Sequence, residues 1–154
     1  MMLNERLEDL YLRKIKQRYE EIGRYLYSNI TPIEGIELRE TLEFEKYQDA
    51  VTSEGYRPIK VGENWGGNGK SGWFKIRFAL PPSFAGKPSA ALINIGFEGC
   101  VFVDGAPHQG VDRWHEEVLL AEKSEPGAKY ELVIEAMSGE YWQNRTEPAV
   151  FKRA

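Results

Sequence analysis

The residue types that most often bind metals or act as nucleophiles are scarce in this sequence. It contains one cysteine, Cys100, and two histidines, His108 and His115. A zinc site needs three or four such ligands held together. His115 stands between Asp112 and Glu116, but neighbouring residues of a strand point to opposite faces of a sheet. The sequence therefore predicts no metal site and two surface histidines.

Catalytic motifs built on serine, phosphate-binding glycines or paired carboxylates are also missing. The serines lack the strand–turn–helix context of a nucleophile elbow. Gly69-Lys70-Ser71 resembles the end of a P-loop, but the preceding glycine has the wrong spacing and a strand is expected next. We interpret residues 66–71 as a flexible loop. No carboxylate pair has a spacing that fixes a catalytic separation, so no catalytic residue is assigned.

The tryptophans are more suggestive of a binding function. Trp65, Trp73, Trp114 and Trp142 fall in or beside predicted loops. An exposed indole binds a sugar ring because the apolar C–H face of the sugar packs on a π surface. Large aromatic residues are buried on average. Core packing or a domain contact is therefore the favoured interpretation, with sugar binding as the alternative.

One polar cluster, Asp112-Arg113-Trp114-His115, follows Gly110 and precedes a predicted strand. We expect it at one end of the β domain, where loops on a rigid scaffold commonly carry function. Three roles remain open: a local turn closed by Asp112, a contact with another domain, and direct contact with a glycan. Together with Trp65, these four residues are the candidates for a carbohydrate-binding site or a domain interface.

A long helix is predicted over residues 4–28, within an N-terminal segment 1–30. Apolar residues three or four apart form one stripe: Leu3, Leu7, Tyr11, Ile15, Tyr19, Ile22 and Leu26. Asn4 suits an N-cap, and Pro32 and Gly35 end the pattern. An amphipathic helix packed on its own or a neighbouring domain is favoured over a coiled coil or a membrane-surface helix.

From residue 36 the apolar period changes to two, which is typical of strands. Alternating segments occur at 38–44, 59–61, 74–80, 91–97, 114–119 and 130–134, with a continuous apolar run at 100–103. Asp104-Gly105 predicts a tight hairpin turn. Seven or eight such short strands predict an antiparallel β-sandwich or jelly roll over 36–154. Residues 149–154 resemble a strand cut short, so we expect an open sheet edge and self-association.

Length, composition and charge narrow the range of partners. The chain has 154 residues, with 20 Lys plus Arg against 24 Asp plus Glu, a net charge of −4. This charge argues against a nucleic-acid partner, and no apolar run approaches the roughly 20 residues of a membrane span. The single cysteine excludes a disulfide framework, and the N-terminus lacks the apolar core of a secretion signal. We expect a cytoplasmic protein.

Several stretches together resemble the N-terminal β-domain of α-mannosidases of glycoside hydrolase family 38, in its bacterial and fungal cytosolic or vacuolar branch. The residues that carry the resemblance are Trp65-Gly66-Gly67, 72–81, 84–88, 96–105, Pro107, Gly110, Asp112-Arg113 and 115–120. Their order and spacing match over residues 57–136, about half the chain. A weaker form of the pattern occurs in the sugar-binding jelly rolls of other glycosidases. The implied fold is a galactose-binding-like jelly roll after a long helix.

The resemblance implies an N-terminal accessory domain of a longer enzyme. In such enzymes a later catalytic domain holds zinc or another divalent cation and an aspartate nucleophile, and it hydrolyses terminal α-mannosides with retention. No segment here matches that domain. We therefore expect the chain alone to be inactive and without a cofactor. Its expected partner is the catalytic domain of the same polypeptide, which it buttresses. A carbohydrate-binding module and a stand-alone interaction domain are the alternatives.

Overall fold

The computed structural model describes residues 2–67, 69–138 and 149–150. The chain forms two compact units, residues 1–31 and 32–154. The first unit contains a single long helix in its described part, and the second is built mainly of antiparallel strands. The predicted mainly β architecture with a long N-terminal helix is confirmed.

The N-terminal helix, α1, runs from Met2 to Leu26, two residues earlier at each end than predicted. Ion pairs between side chains one turn apart support it, with Arg13 Nη2 2.8 Å from an Asp9 carboxylate oxygen. Where the side chains of its apolar stripe are described, the exposed fraction ranges from 45% at Leu7 to 79% at Tyr19. Local hydrogen bonds and ion pairs thus stabilise this helix.

The second unit alternates short strands with turns. Its elements are β1 (Ile36–Thr41), α2 (Tyr47–Thr52), β2 (Arg57–Pro58), β3 (Asn64–Trp65), β4 (Ser71–Ala79), a single 3-10 turn (Pro82–Phe84), β5 (Ser89–Leu92), β6 (Glu98–Val103), β7 (Ala106–Val111), β8 (Glu117–Ala121), β9 (Lys129–Met137) and β10 (Ala149–Val150). Six of them form one antiparallel sheet in the order β2-β1-β4-β9-β6-β7. Two smaller sheets, β10-β3 and β5-β8, complete the set.

The hydrophobic core lies on the inner face of the six-stranded sheet. Alternate residues of the central strands, such as Phe74 on β4 and Ile134 on β9, are fully buried there. Trp65 from β3 and Val118 from β8 belong to the same cluster. The small sheets therefore supply the opposite layer of a β-sandwich, as the period-two pattern predicted.

A short helix, α2, covers part of the outer face of the same sheet. Ala50 of the helix packs with Trp73 and Val133, which form a second buried cluster. Lys75 Nζ donates a hydrogen bond to the carbonyl of Val51 at 2.9 Å and lies 3.6 Å from the centre of the Tyr56 ring. Burial lowers the pKa of Lys75 and raises that of Tyr56 to about 12.

The predicted hairpin between β6 and β7 is confirmed. Asp104 and Gly105 have φ angles of 47° and 86°, the left-handed conformations that a two-residue turn of this kind requires. Asp104 also anchors the turn, since its Oδ1 accepts a hydrogen bond from the Glu131 N–H at 2.9 Å. The turn is thereby attached to the neighbouring strand β9.

The strand predicted through residues 91–97 is shorter than its pattern. β5 ends at Leu92, although Ile93 and Ile95 are both almost fully buried. The side chain of Asn94 accepts a hydrogen bond from the Gly96 N–H at 3.0 Å, and Gly96 has a φ of 89°. This local bond competes with a strand ladder, which explains the early end of β5.

Gly66, Gly67 and Lys70 attach the loop that precedes β4 to the sandwich. Glu40 Oε1 accepts a hydrogen bond from the Gly66 N–H at 2.7 Å, and the Ser138 hydroxyl oxygen accepts one from the Gly67 N–H at 2.9 Å. The Ser138 hydroxyl also donates to the Lys70 carbonyl at 2.8 Å. Strand β4 follows where a P-loop would begin a helix, so this loop is a structural connection.

At the C-terminus, Ala149 and Val150 pair antiparallel with Trp65 and Asn64. Residues 151–154, which completed the predicted truncated strand, lie outside the described residues. The expected self-association through an open edge therefore stays a prediction.

Close packing at Gly66 leads to a first prediction. Its φ is +77°, and an added Cβ would lie 2.1 Å from the Ser138 hydroxyl oxygen, whereas Gly69 has a φ of +73° with open space around it. Gly69→Ala should lower the free energy of unfolding by about 1 kcal/mol through backbone strain alone. Gly66→Ala should lower it by about 2–4 kcal/mol, because strain and a steric clash add. Urea denaturation measures both, and equal losses would contradict the clash.

Candidate functional site

Residues 112–115 form a tight turn between β7 and β8. Asp112 Oδ1 accepts hydrogen bonds from the backbone N–H of Trp114 at 2.6 Å and of His115 at 2.8 Å. The backbones of Asp112 and His115 exchange two further hydrogen bonds, each 3.3 Å. One carboxylate thus satisfies two N–H groups of its own turn, which is the local role considered for Asp112.

The His115 ring closes the same turn. Its Nδ1 lies 3.0 Å from both carboxylate oxygens of Asp112, although the side chain is 77% exposed. The hydrogen bond between the two side chains raises the pKa of His115 and lowers that of Asp112. The pair is therefore a local ion pair when the imidazole is protonated.

The other two residues of the turn face outward. Trp114 is 75% exposed, and the Arg113 guanidinium carbon lies 5.1 Å from the centre of its ring. An indole with this much exposed surface is atypical, because tryptophan is highly buried on average, and the guanidinium beside it makes a cation–π contact. Asp112 and His115 thus hold the turn together, whereas the exposed side chains of Arg113 and Trp114 contact each other.

The structure corrects the prediction that Trp114 and His115 lie in a strand, because β8 begins only at Glu117. The Asp112 carboxylate binds the N–H groups of Trp114 and His115, which forms a turn at these positions. His115 lies in a turn and not on a strand, so the prediction that His115 and Glu116 point to opposite faces of a sheet is wrong.

Two amides hold the turn to its surroundings. Gln109 Nε2 donates a hydrogen bond to the Glu117 carbonyl at 2.7 Å, and Asn94 Nδ2 donates to Glu116 Oε1 at 2.5 Å. The Ile93 N–H donates to the Glu116 carbonyl at 2.8 Å. Neither Asn94 nor Gln109 was among the residues predicted for the site. In the sequence, each of these positions shows only a single amide beside apolar or glycine residues, and this is a weak signal for a site residue.

Trp65, the fifth candidate, does not reach the surface. Its indole is 2% exposed, and its Nε1 donates a hydrogen bond to the Ile95 carbonyl at 2.8 Å. The ring packs edge-on against Phe74, with centroids 5.0 Å apart. Gly72 makes room for it, since a Cβ there would lie 2.6 Å from the indole. Trp65 as a residue that contacts a sugar or another domain is therefore wrong, because its ring faces are covered by the core.

Of the two remaining tryptophans, Trp73 lies among the described residues and is buried like Trp65. Trp73 is 1% exposed in the outer cluster under α2. Trp142 lies outside the described residues. Among the tryptophans that the structure describes, Trp114 alone has a large exposed surface.

Reactive groups elsewhere are poorly placed for catalysis. Cys100 lies directly across from Glu135 on the neighbouring strand. Burial and the nearby carboxylate raise the pKa of the Cys100 thiol, and burial raises that of Glu135. A thiol with a raised pKa is a poor nucleophile at neutral pH. Within the described ranges, no three His, Cys, Asp or Glu side chains come together as a metal site requires.

Membrane association through a spanning helix finds no support in the described part of the chain. None of its helices combines sufficient length with sufficient apolar character to cross a bilayer.

Comparison with known proteins gives a family match. The domain family described as "Alpha-mannosidase, jelly roll domain" matches residues 32–151. α-Mannosidase G of Dictyostelium discoideum is 29% identical over 133 residues, which are 83% of this chain and 11% of that protein. α-Mannosidase 2C1 of Homo sapiens is 31% identical over 71 residues, 46% of this chain and 7% of that protein. The chain thus spans about a tenth of the length of these relatives, and the resemblance seen in the sequence is confirmed.

The contrast between a buried and an exposed tryptophan gives a second prediction. Trp65→Phe should lower the free energy of unfolding by about 2–4 kcal/mol, because it removes a buried hydrogen bond and leaves a cavity. Trp114→Phe is the matched control and should change it by less than about 0.5 kcal/mol. Thermal and chemical unfolding of both variants provide the measurement. A comparable loss for Trp114→Phe would show that its ring also packs in the fold.

The His115–Asp112 pair gives a third prediction. The pKa of His115 should lie above its ordinary value of 6.5 and return toward it in Asp112→Asn, as followed by NMR titration of the ring. Because the folded pKa is raised, the stabilisation is complete below 6.5 and is lost as the pH rises through the folded pKa. The lowered pKa of Asp112 causes a second loss as the pH falls through it. An unshifted His115 pKa in the original chain would contradict the pair.

Proposed function

The chain belongs to the family of α-mannosidase jelly roll domains, and on that basis we propose that it is an accessory domain of an enzyme that hydrolyses terminal α-mannosides in glycans. The observation that carries this proposal is the family match over residues 32–151. The two relatives are named α-mannosidases, and their aligned segments are only 11% and 7% of their lengths. We therefore expect this domain to support the chemistry of a catalytic domain in the same enzyme.

The catalytic groups of such an enzyme belong outside the residues described here. Retaining hydrolysis needs a carboxylate nucleophile and an acid–base carboxyl group at a fixed separation. The resemblance also implies zinc or another divalent cation, which would bind sugar hydroxyls. The residues present do not fit that cation, since the described ranges hold no cluster of suitable ligands. We therefore assign no step of the reaction to this domain.

The contribution of the domain is mechanical: it buttresses the catalytic domain of the same polypeptide. Its sandwich has a continuous buried core, and side chains such as Glu40 and Ser138 fix its loops. Burial alone raises the pKa of Glu40, but the Gly66 N–H and Arg57 outweigh it and hold this pKa below its usual value. The carboxylate thus stays charged and the loop stays bound at neutral pH.

A carbohydrate-binding module is the second candidate, and one observation favours it. Trp114 presents an exposed indole with Arg113, Asp112 and His115 beside it. Aromatic faces bind sugars, and charged side chains can bind their hydroxyl groups. A calorimetric titration of the chain with mannose oligosaccharides tests this candidate. Binding that disappears in Trp114→Ala would favour a module over a buttress.

The proposed function leads to a fourth prediction. The 154-residue chain should neither hydrolyse an aryl α-mannoside nor bind zinc stoichiometrically, because its described residues hold no cluster of metal ligands and no segment of its sequence resembles the catalytic domain. The complete polypeptide encoded by the gene should hydrolyse it, and a chelator should abolish that activity. Turnover by the chain alone, or an inactive complete polypeptide in the presence of divalent cations, would overturn the proposal.

A further inference from the structure

Within the described part of the chain, the side chains of Arg113 and Trp114 take no part in the hydrogen bonds that hold the turn at 112–115 together. Asp112 and His115 account for its hydrogen bonds. The interaction seen for the Arg113 side chain in the described residues is its stacking on Trp114. Tryptophan and arginine are the residue types that most often dominate the energetics of protein interfaces.

The turn is well ordered for binding because both of its ends are fixed. Gln109 Nε2 binds the Glu117 carbonyl at 2.7 Å, and Asn94 Nδ2 binds Glu116 Oε1 at 2.5 Å. The Asp112 carboxylate sets the backbone conformation between these points. A surface held in its bound conformation loses little entropy on association. Trp114 is therefore presented on a preorganised support.

The shape of the turn selects the kind of partner. Small-molecule sites are concave and cover most of the ligand, whereas Trp114 projects with 75% of its surface exposed. A projecting indole fits into a pocket on another protein surface. The guanidinium of Arg113 beside the ring favours a carboxylate at the rim of that pocket.

We propose that Arg113 and Trp114 form the docking point of this domain on the remainder of its own polypeptide. The partner surface is an apolar pocket that accepts the indole, with a carboxylate at its rim for Arg113. This proposal rests on the proposed function, which places the chain inside a longer enzyme. Most of the chain of such a relative is available to form this partner surface, since the aligned segment is only 11% of α-mannosidase G.

Hydroxyl-radical footprinting with residue-level mass spectrometry tests the docking point. In the 154-residue chain, Trp114 should oxidise rapidly, whereas Trp65 and Trp73 should resist oxidation. In the complete polypeptide, the oxidation rate of Trp114 should be lower by a factor of about five or more, because interface cores exclude solvent. Trp65 and Trp73 are the internal controls, since they should stay protected in both samples. Equal oxidation of Trp114 in both samples would overturn the proposal.

Two variants separate docking from a role in the fold. Trp114→Ala and Arg113→Ala should leave the melting temperature of the isolated chain unchanged and lower that of the complete polypeptide. Asp112→Asn is the matched control that loosens the turn itself, so it should affect both. Loss of stability in the isolated Trp114→Ala chain, or no loss in the complete variant, would count against docking.

Two further measurements, protection by sugars and enzymatic activity, distinguish the docking proposal from the proposed function. Protection of Trp114 in the isolated chain by mannose oligosaccharides would assign the turn to a glycan and overturn docking on protein. An active complete polypeptide with an exposed Trp114 would refute the docking point and leave the accessory function standing. A protected Trp114 in a polypeptide without α-mannosidase activity would do the reverse.

Discussion

Burial of the Trp65 indole is the constraint from which the rest of the β unit follows. An indole inside a core must find an acceptor for its N–H, and the Ile95 carbonyl supplies it at 2.8 Å. Gly72 on β4 leaves the space that the ring occupies. The small sheet that contains Trp65 is thereby joined to the six-stranded sheet and to the loop after β5.

The loop after β5 connects the core around Trp65 to the surface turn at residues 112–115. Ile93 and Ile95 are buried on either side of Asn94, so the Asn94 side chain lies at the edge of the core. It accepts a hydrogen bond from Gly96 and donates one to Glu116. Glu116 directly follows the turn at residues 112–115. The position of the exposed Trp114 therefore depends, through these contacts, on the core around Trp65.

Several polar groups among the described residues fix the conformation of the fold. The pKa values of Cys100 and Glu135 are raised by burial, which leaves the thiol protonated and less reactive. Carboxylates with lowered pKa values, Glu40 and Asp112, are occupied with backbone N–H groups of loops. Such use of charge fixes loop conformations and presents a surface. It is consistent with the accessory function proposed above.

How much the sequence could predict differs between the strands and the site. Period-two patterning predicted the sheet, because alternate residues of a strand must face the core. Asp104-Gly105 predicted its hairpin, because few residues tolerate two successive positive φ angles. The pattern failed at residues 93–97 and 114–116, where the side chains of Asn94 and Asp112 bind nearby backbone N–H groups. Local bonds of this kind leave no mark on apolar periodicity.

The sequence by itself thus determined the strand pattern, the long N-terminal helix and the family, since these depend on local periodicity and on motifs in a fixed order. The roles of its tryptophans were decided by the tertiary structure. Trp65 and Trp114 both stand near predicted loops, yet one is 2% and the other 75% exposed. Burial of an indole depends on residues distant in the chain, here Gly72, Phe74 and Ile95 around Trp65, and only the folded chain brings them together.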